Sequence, residues 1–183
     1  LSDDKMHKDN YEVKQKIKLD DVGIDGRIKL LKEAESGIKD SKVNVPSRII
    51  VYGDNDTTEY LVNSGGTEIT ARVPKVNFYY FLTIMENNKV AQRYKSFGGS
   101  GGFEIAKNWN MQKLLSEDAL TIKNNLTKGI KLKAQKMPII CGTEVTGIMV
   151  HESVGHPYEA DRIFGRESAQ AGESFVTKEM VGH

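Results

Sequence analysis

Two kinds of hydrophobic periodicity occupy the first half of the chain. Between Val22 and Asp40, apolar residues recur every three or four positions, which is typical of one face of an amphipathic helix. The residues of this stripe are Ile24, Ile28, Leu31, Ala34 and Ile38. From Arg48 to Phe97 the pattern changes to short runs rich in β-branched and aromatic residues. The chain therefore predicts a helix followed by a sheet.

Turn-forming residues within the second region indicate that this sheet is antiparallel. The segments "GDND" at 53–56 and "NSGG" at 63–66 contain residues that tolerate positive φ, so we expect a hairpin turn at each. Two longer strands are expected to meet at Asn87 and Asn88. Pro74 has no N–H to donate to a ladder, which favours a strand edge or a break there.

The second half returns to helical spacing. A helix is expected over 116–135, then a short buried strand at "PIIC", then a helix from Thr143 whose apolar side chains face a core. The predicted fold class is α+β, an antiparallel sheet flanked by helices, with a metal-site helix that ends in a Gly-His-Pro turn. Residues 1–45 are assigned to the helical end of an N-terminal domain or a linker, with a polar tail over 1–21. Residues 46–183 are assigned to an α+β core.

Composition excludes several classes of protein. The chain has 183 residues, 26 basic and 25 acidic, and a formal net charge of +1, without the basic stripe of a nucleic-acid binder. No apolar run approaches the roughly 20 residues of a membrane span. The single cysteine, Cys141, excludes a disulfide framework within the chain and favours a reducing compartment.

The segment "MVHESVGHPYEAD" places His151, Glu152 and His156 within six residues. In a regular helix, residues five apart point about 140° away from each other, so two such histidines cannot grip one ion. Gly155 is typical of a helix end, and Pro157 disfavours helical backbone at the residue before it. These two residues predict that the helix stops near Val154 and that a turn brings the second imidazole back beside the first.

Two histidines and a third ligand hold zinc with a position left for water. A glutamate beside that water can take its proton. His151 and His156 are therefore candidate Zn²⁺ ligands and Glu152 the candidate general base, although a histidine near a helix end can also serve the fold alone. Cys141 is expected to be buried at the far end of the helix. Local candidates for the third ligand are Glu159, Asp161 and Glu173.

The glycine-rich segment "FGGSGG" at 97–102 does not match a phosphate-binding pattern. A turn or a close approach of two backbones explains it better. Backbone contact to an extended ligand stays open, and Gly99, Gly101 and Gly102 are the candidate substrate-binding residues.

The segment "MPIICGTEVTGIMVHESVGHPYEADRI", together with "YLVNSGGTEITARVPKVNFYYFLTIM", resembles the TldD-type zinc metallopeptidase subunits of the TldD/PmbA family, from about Ile24 onward. The resemblance implies a cytoplasmic peptidase of small or unfolded peptides that works as a homodimer or as a heterodimer with a PmbA-type subunit. It also implies that this chain is an internal fragment of a longer protein, with the C-terminal part missing. The third zinc ligand, a cysteine, is then expected outside this chain. The alternative function is a non-catalytic peptide-binding or assembly subunit of a heteromeric protease complex.

Overall fold

A computed structural model describes residues 6–166 and 174–180 of the chain. The chain divides into two compact units, Leu1–Lys131 and Leu132–His183. The first unit contains a four-stranded sheet with helices, and the second contains short helical segments. The predicted mixture of an antiparallel sheet and flanking helices is confirmed. Among the described helices, none is long and apolar enough to cross a membrane.

The sheet of the first unit is built around one long central strand. The strands are β1 Lys8–Glu12, β2 Ser47–Val62, β3 Glu68–Glu86 and β4 Lys89–Ser100. Along one side of β3, β2 pairs antiparallel over its whole length. Along the other side, β1 pairs parallel with the beginning of β3, and β4 pairs antiparallel with the rest.

Three helices of this unit cover one face of the sheet. They are α1 Ile24–Asp40, α2 Phe103–Asn108 and α3 Met111–Lys128. Alternate residues of β3 form the centre of the core and are at most 2% exposed: Val76, Phe78, Tyr80, Leu82 and Ile84. Helix α1 lies within the predicted stretch 22–40, but the first residue of the predicted apolar stripe, Ile24, is 67% exposed. Only Ala34 and Ile38 of the predicted stripe are fully buried, and Leu30, which lies outside the stripe, is buried with them.

Two of the three predicted turns are present. Between β2 and β3, the side-chain oxygen of Asn63 accepts hydrogen bonds from the N–H groups of Gly65 and Thr67, and Gly66 has φ +100°. Between β3 and β4, Asn87 and Asn88 both have positive φ, as a two-residue hairpin requires. Both turns are confirmed where the sequence predicted them.

The predicted turn at "GDND" is wrong, because β2 runs through 53–56 without a break. Asp54 pairs with Arg27 at 2.8 Å, and Asp56 pairs with Arg72 at 2.7 Å. Burial alone would raise the pKa of Asp54, but the hydrogen bonds from Arg27 hold that pKa below its ordinary value. Turn-forming residues are tolerated within this strand because ionic partners satisfy their carboxylates.

The predicted polar tail over 1–21 is also wrong for its described part, which is anchored to the sheet. Residues 8–12 form β1, and Leu19 is buried in the core. The Glu104 carboxylate accepts hydrogen bonds from the backbone N–H groups of Lys16, Ile17 and Gly102. Burial would raise the pKa of Glu104, yet these backbone donors keep it below its ordinary value.

Pro74 lies at a discontinuity of the ladder, as predicted. On one side of β3, pairing with β1 ends at Arg72 and pairing with β4 begins at Lys75. Pro74 therefore falls where no strand on that side needs its missing N–H. Its carbonyl accepts a hydrogen bond from Gly101 at 3.0 Å.

The described part of the second unit contains helix α4 Thr143–Val150, a π-helical turn His151–Gly155, a 3₁₀ turn His156–Tyr158, helix α5 Ala160–Ile163 and a 3₁₀ turn Lys178–Met180. The predicted helix over 116–135 is instead α3, which begins after the capping residue Asn110. The predicted strand "PIIC" is wrong, since this segment has no regular structure and Ile140 is 99% exposed.

The expectation that the apolar side chains of α4 face a core is wrong as well. Val145, Ile148 and Met149 are each more than half exposed. Cys141, expected to be buried, is exposed. Within the described part of this unit, no sheet face lies against the helix, so its hydrophobic residues remain at the surface.

Candidate metal centre

The backbone around the two histidines stays helical. Gly155 has φ −56° and ψ −62°, and His156 has φ −63° and ψ −41°, both in the right-handed helical region. The helical path ends only at Glu159, whose ψ is 123°. The predicted Gly-His-Pro turn, with the helix stopping near Val154, is therefore wrong.

A π-helical turn replaces the predicted bend. The N–H of His156 donates to the carbonyl of His151, five residues earlier. A π turn closes its hydrogen bond over one residue more than an α turn, so residues five apart come to lie on the same side of the helix. Pro157 is accommodated because it stands in the first turn of the following 3₁₀ segment, where a missing N–H is tolerated.

This winding brings together all three residues singled out from the motif. The ring centroids of His151 and His156 are 4.4 Å apart, with planes inclined at 75°. One potential ligand atom from each of His151, Glu152 and His156 lies within 4.8 Å of the other two. Oε2 of Glu152 lies 3.7 Å from Nε2 of His156. The π turn thus accommodates the five-residue spacing of the two histidines.

Glu159 makes a contact with the cluster that the motif did not predict. Its Oε1 lies 2.7 Å from Nδ1 of His156, and its Oε2 lies 2.7 Å from Nε of Arg162. The hydrogen bond with His156, together with the charge of Arg162, holds the pKa of Glu159 below its ordinary value. The i, i+3 spacing of His156 and Glu159 was the available signal, since side chains three apart are neighbours on a helical turn.

The other candidate ligands do not join this group among the described residues. Asp161 accepts a hydrogen bond from the N–H of Arg162, the residue that follows it. Cys141 precedes α4 and is not part of the cluster. Glu173 lies outside the described residues.

The donor set is suited to a zinc ion. Imidazole nitrogen and carboxylate oxygen are both ordinary zinc ligands, and catalytic sites use three protein ligands with a further position left open. Glu152 has a side chain that is 63% exposed, so its carboxylate is accessible to water. The cluster therefore offers two nitrogen donors and a neighbouring, water-accessible carboxylate.

The glycine-rich segment lies in the first unit and has two structural roles. Gly99 lies near the end of β4, where it pairs with Val76. It lines a cavity of about 550 Å³ with Gly53, Asn77 and other residues of the three long strands. Gly101 has φ +146°, and a Cβ on Gly102 would lie 2.1 Å from the carbonyl oxygen of Ile17. Gly101 and Gly102 therefore permit close backbone packing and do not line this cavity.

Comparison with known proteins identifies similarity over both units. Residues 17–128 match the family model described as the PmbA/TldA metallopeptidase central domain. A metalloprotease of Methanocaldococcus jannaschii is 27% identical over 188 aligned positions, which cover 97% of this chain and 40% of the relative. A metalloprotease of Methanothermobacter thermautotrophicus is 28% identical over 132 positions, which cover 70% of this chain and 28% of the relative.

A third metalloprotease, from Archaeoglobus fulgidus, is 24% identical over 180 positions, covering 93% of this chain and 40% of the relative. The chain thus spans between 28% and 40% of the length of these curated relatives. No solved structure matches it. The histidine cluster lies beyond the segment matched by the family model.

Proposed function

Because this chain belongs to the PmbA/TldA metallopeptidase family, we propose that it contributes the histidine half of the metal centre of a zinc-dependent peptidase. His151 and His156 are the proposed ligands, and Glu152 is the proposed general base. The observation that supports this assignment best is the convergence of one donor atom from each of these residues within 4.8 Å.

Each residue has a distinct task in this proposal. The imidazoles of His151 and His156 would hold the ion through ring nitrogens. When bound, zinc lowers the pKa of a coordinated water and polarises the peptide carbonyl. Glu152 accepts the proton of the attacking water at a carboxylate oxygen and delivers it to the nitrogen of the leaving amine. Water reaches this carboxylate because the side chain is exposed.

The substrate class is proposed to be small or unfolded peptides. Gly99 keeps the role of a proposed peptide contact, supported by its place in the wall of the 550 Å³ cavity of the first unit. Gly101 and Gly102 lack this support, because neither lines that cavity and atoms of Gln15, Ile17, Glu104 and Ile105 already lie against them. Three further parts of the proposal rest on the family resemblance. They are a cysteine ligand outside this chain, a dimer with a second copy or with a PmbA-type subunit, and a cytoplasmic location.

The proposal is tested in the intact protein with Glu152→Gln and His156→Ala. Removing a general base slows catalysis by about 10²–10⁴-fold, so Glu152→Gln should retain zinc and lose peptide cleavage by such a factor. His156→Ala should lose zinc and activity together. Glu144→Gln is the matched control, since Glu144 is an exposed glutamate in the first turn of α4. Zinc content is measured by atomic emission and cleavage with fluorogenic peptides.

Two results would contradict the proposal. Wild-type rates of cleavage in Glu152→Gln would show that Glu152 is not the general base. Unchanged zinc content in His156→Ala would show that His156 is not a zinc ligand and that the metal site lies elsewhere. A chain that binds peptides without cleaving them, with or without zinc, would instead favour a non-catalytic peptide-binding subunit.

A further inference from the structure

Glu159 is held in place by contacts on both of its carboxylate oxygens. Oε1 lies 2.7 Å from Nδ1 of His156, and Oε2 lies 2.7 Å from Nε of Arg162. Its backbone is fixed too, since its N–H donates to the carbonyl of His156 at 3.1 Å. The carboxylate is thus positioned by the 3₁₀ turn on one side and by α5 on the other.

This contact determines which nitrogen of His156 carries the proton. A carboxylate only accepts hydrogen bonds, so Nδ1 must be the donor in the 2.7 Å contact. In the neutral ring only one nitrogen is protonated, which leaves a free lone pair on Nε2. Nε2 is also the atom that lies 3.7 Å from Glu152. The free lone pair and the base are therefore on the same side of the ring.

We propose that Glu159 is a positioning residue that fixes the tautomer and the orientation of the His156 ring, with Arg162 holding Glu159 in turn. The arrangement follows a general feature of metal sites, in which the ligating histidine donates its other N–H to a carboxylate. The consequence for metal binding rests on the proposed function, whereas the control of the tautomer does not.

The geometry favours this role over direct ligation by Glu159. Both oxygens are already engaged at 2.7 Å, and a direct ligand would have to give up one of these contacts. The two roles also differ in their tolerance of substitution. Glutamine can still accept a hydrogen bond from Nδ1 through its amide oxygen, but it is not the carboxylate ligand that zinc prefers.

The first test measures zinc affinity of the intact protein by competition with a chromogenic chelator. Loss of such a partner typically weakens metal binding by about 10–100-fold, so Glu159→Ala should bind zinc that much more weakly. Glu159→Gln should recover most of the loss. Glu144→Ala, which removes an equal charge from the first turn of α4, should bind as the wild type does. Equal losses in Glu159→Ala and Glu159→Gln, or no loss in either, would overturn the positioning role.

The second test needs no metal. Nitrogen-15 spectra of the intact, metal-free protein with labelled histidine report which ring nitrogen is protonated, and the His156 signals are identified by their absence in His156→Gln. We expect protonated Nδ1 in the wild type and in Glu159→Gln, and a mixture of tautomers in Glu159→Ala. A mixture already present in the wild type would overturn the inference. A protonated Nδ1 in a protein that binds no zinc would support the tautomer control and refute the proposed function alone.

Discussion

Asp118 of α3 links that helix to the centre of the sheet, and its removal should destabilise the first unit. The carboxylate accepts hydrogen bonds from the Tyr80 hydroxyl at 2.7 Å and from Lys95 Nζ at 2.9 Å. Tyr80 is 0% exposed, and only 12% of the Asp118 side chain is exposed. Burial, followed by the hydrogen bond to Asp118, raises the pKa of Tyr80, so this hydroxyl stays protonated and needs an acceptor.

The expected loss follows from these contacts. Asp118→Ala leaves a buried hydroxyl without a partner, which costs about 1–3 kcal/mol. Loss of the ion pairs with Lys95 and Arg93 adds about 0.2–1 kcal/mol, because more than a third of each basic side chain is exposed. The free energy of unfolding should therefore fall by about 1–4 kcal/mol. Tyr80→Phe removes the donor instead and should cost only about 0.5–1.5 kcal/mol.

A double-mutant cycle separates the shared hydrogen bond from the other effects. In Tyr80→Phe/Asp118→Ala no hydroxyl is orphaned, so the double variant should lose less than the sum of the single losses, with a coupling of about 0.5–3 kcal/mol. Urea unfolding is followed by the fluorescence of Trp109, the single tryptophan of the chain, which lies 5.8 Å from the Phe97 ring. Glu117→Ala, an exposed neighbour on α3, is the control. Additive losses in the cycle would refute the reasoning.

Three further predictions concern packing, pH and the π turn. Gly102→Ala should lower the free energy of unfolding by about 1–3 kcal/mol, because the new Cβ would overlap the carbonyl oxygen of Ile17. Gly98→Ala is the control and should leave the urea midpoint nearly unchanged, because its Cβ meets nothing within 4 Å. The pKa of Glu104 is lowered by folding, so its ionised carboxylate should stabilise the fold above the ordinary pKa of 4.5, and this stability should be lost as pH falls through the folded pKa. In urea unfolding below pH 4.5, the free energy of unfolding should therefore decline less steeply with falling pH in Glu104→Gln than in the wild type. An identical decline would contradict the assignment. Deleting Ser153 places the two histidines four residues apart, which is one face of a regular helix, and should preserve zinc binding. Inserting alanine after Ser153 places them six apart and should abolish zinc binding. Equal zinc affinities of the two variants in a chelator competition would show that the helical winding is irrelevant.

Local signals explain the parts of the fold that the sequence predicted. Helix α1 is recognised from apolar residues that recur every three or four positions within the helix itself. The turn at Asn87 and Asn88 needs only two residues that tolerate positive φ. The turn before β3 likewise depends on local hydrogen bonds, which the side-chain oxygen of Asn63 accepts from the N–H groups of residues two and four positions later. Features of this kind are determined by neighbours in sequence, so the residue pattern is sufficient to find them.

The incorrect predictions involve partners that are distant in sequence. "GDND" remains extended because Asp54 meets Arg27, which lies 27 residues earlier. The segment before Leu19 is anchored because Ile17 donates to Glu104, 87 residues later. A propensity for turns or tails carries no information on such partners, and tertiary contacts overrode it in both cases.

At the candidate site, the residue types indicated which side chains form a possible metal-binding cluster, but the backbone path was predicted incorrectly. Gly155 and Pro157 are common where helices end, and that statistic favoured a bend. The same two residues fit a π turn followed by a 3₁₀ turn, since glycine accepts ordinary helical φ and the proline falls in a first turn. Five-residue spacing of two potential ligands was itself the signal for π winding, because that winding alone keeps them on one side of a continuous helix.

Family membership and the proposed metal chemistry rest on separate parts of this chain. The family match covers 17–128, a unit with its own core, and contains none of the clustered ligands. The cluster at 151–156 depends on a π turn and on side chains within the second unit. The match alone would assign no metal ligand to this chain, and the cluster alone would name no reaction. The peptidase proposal needs both, so Glu152→Gln and His156→Ala can refute the chemistry while the family assignment stands.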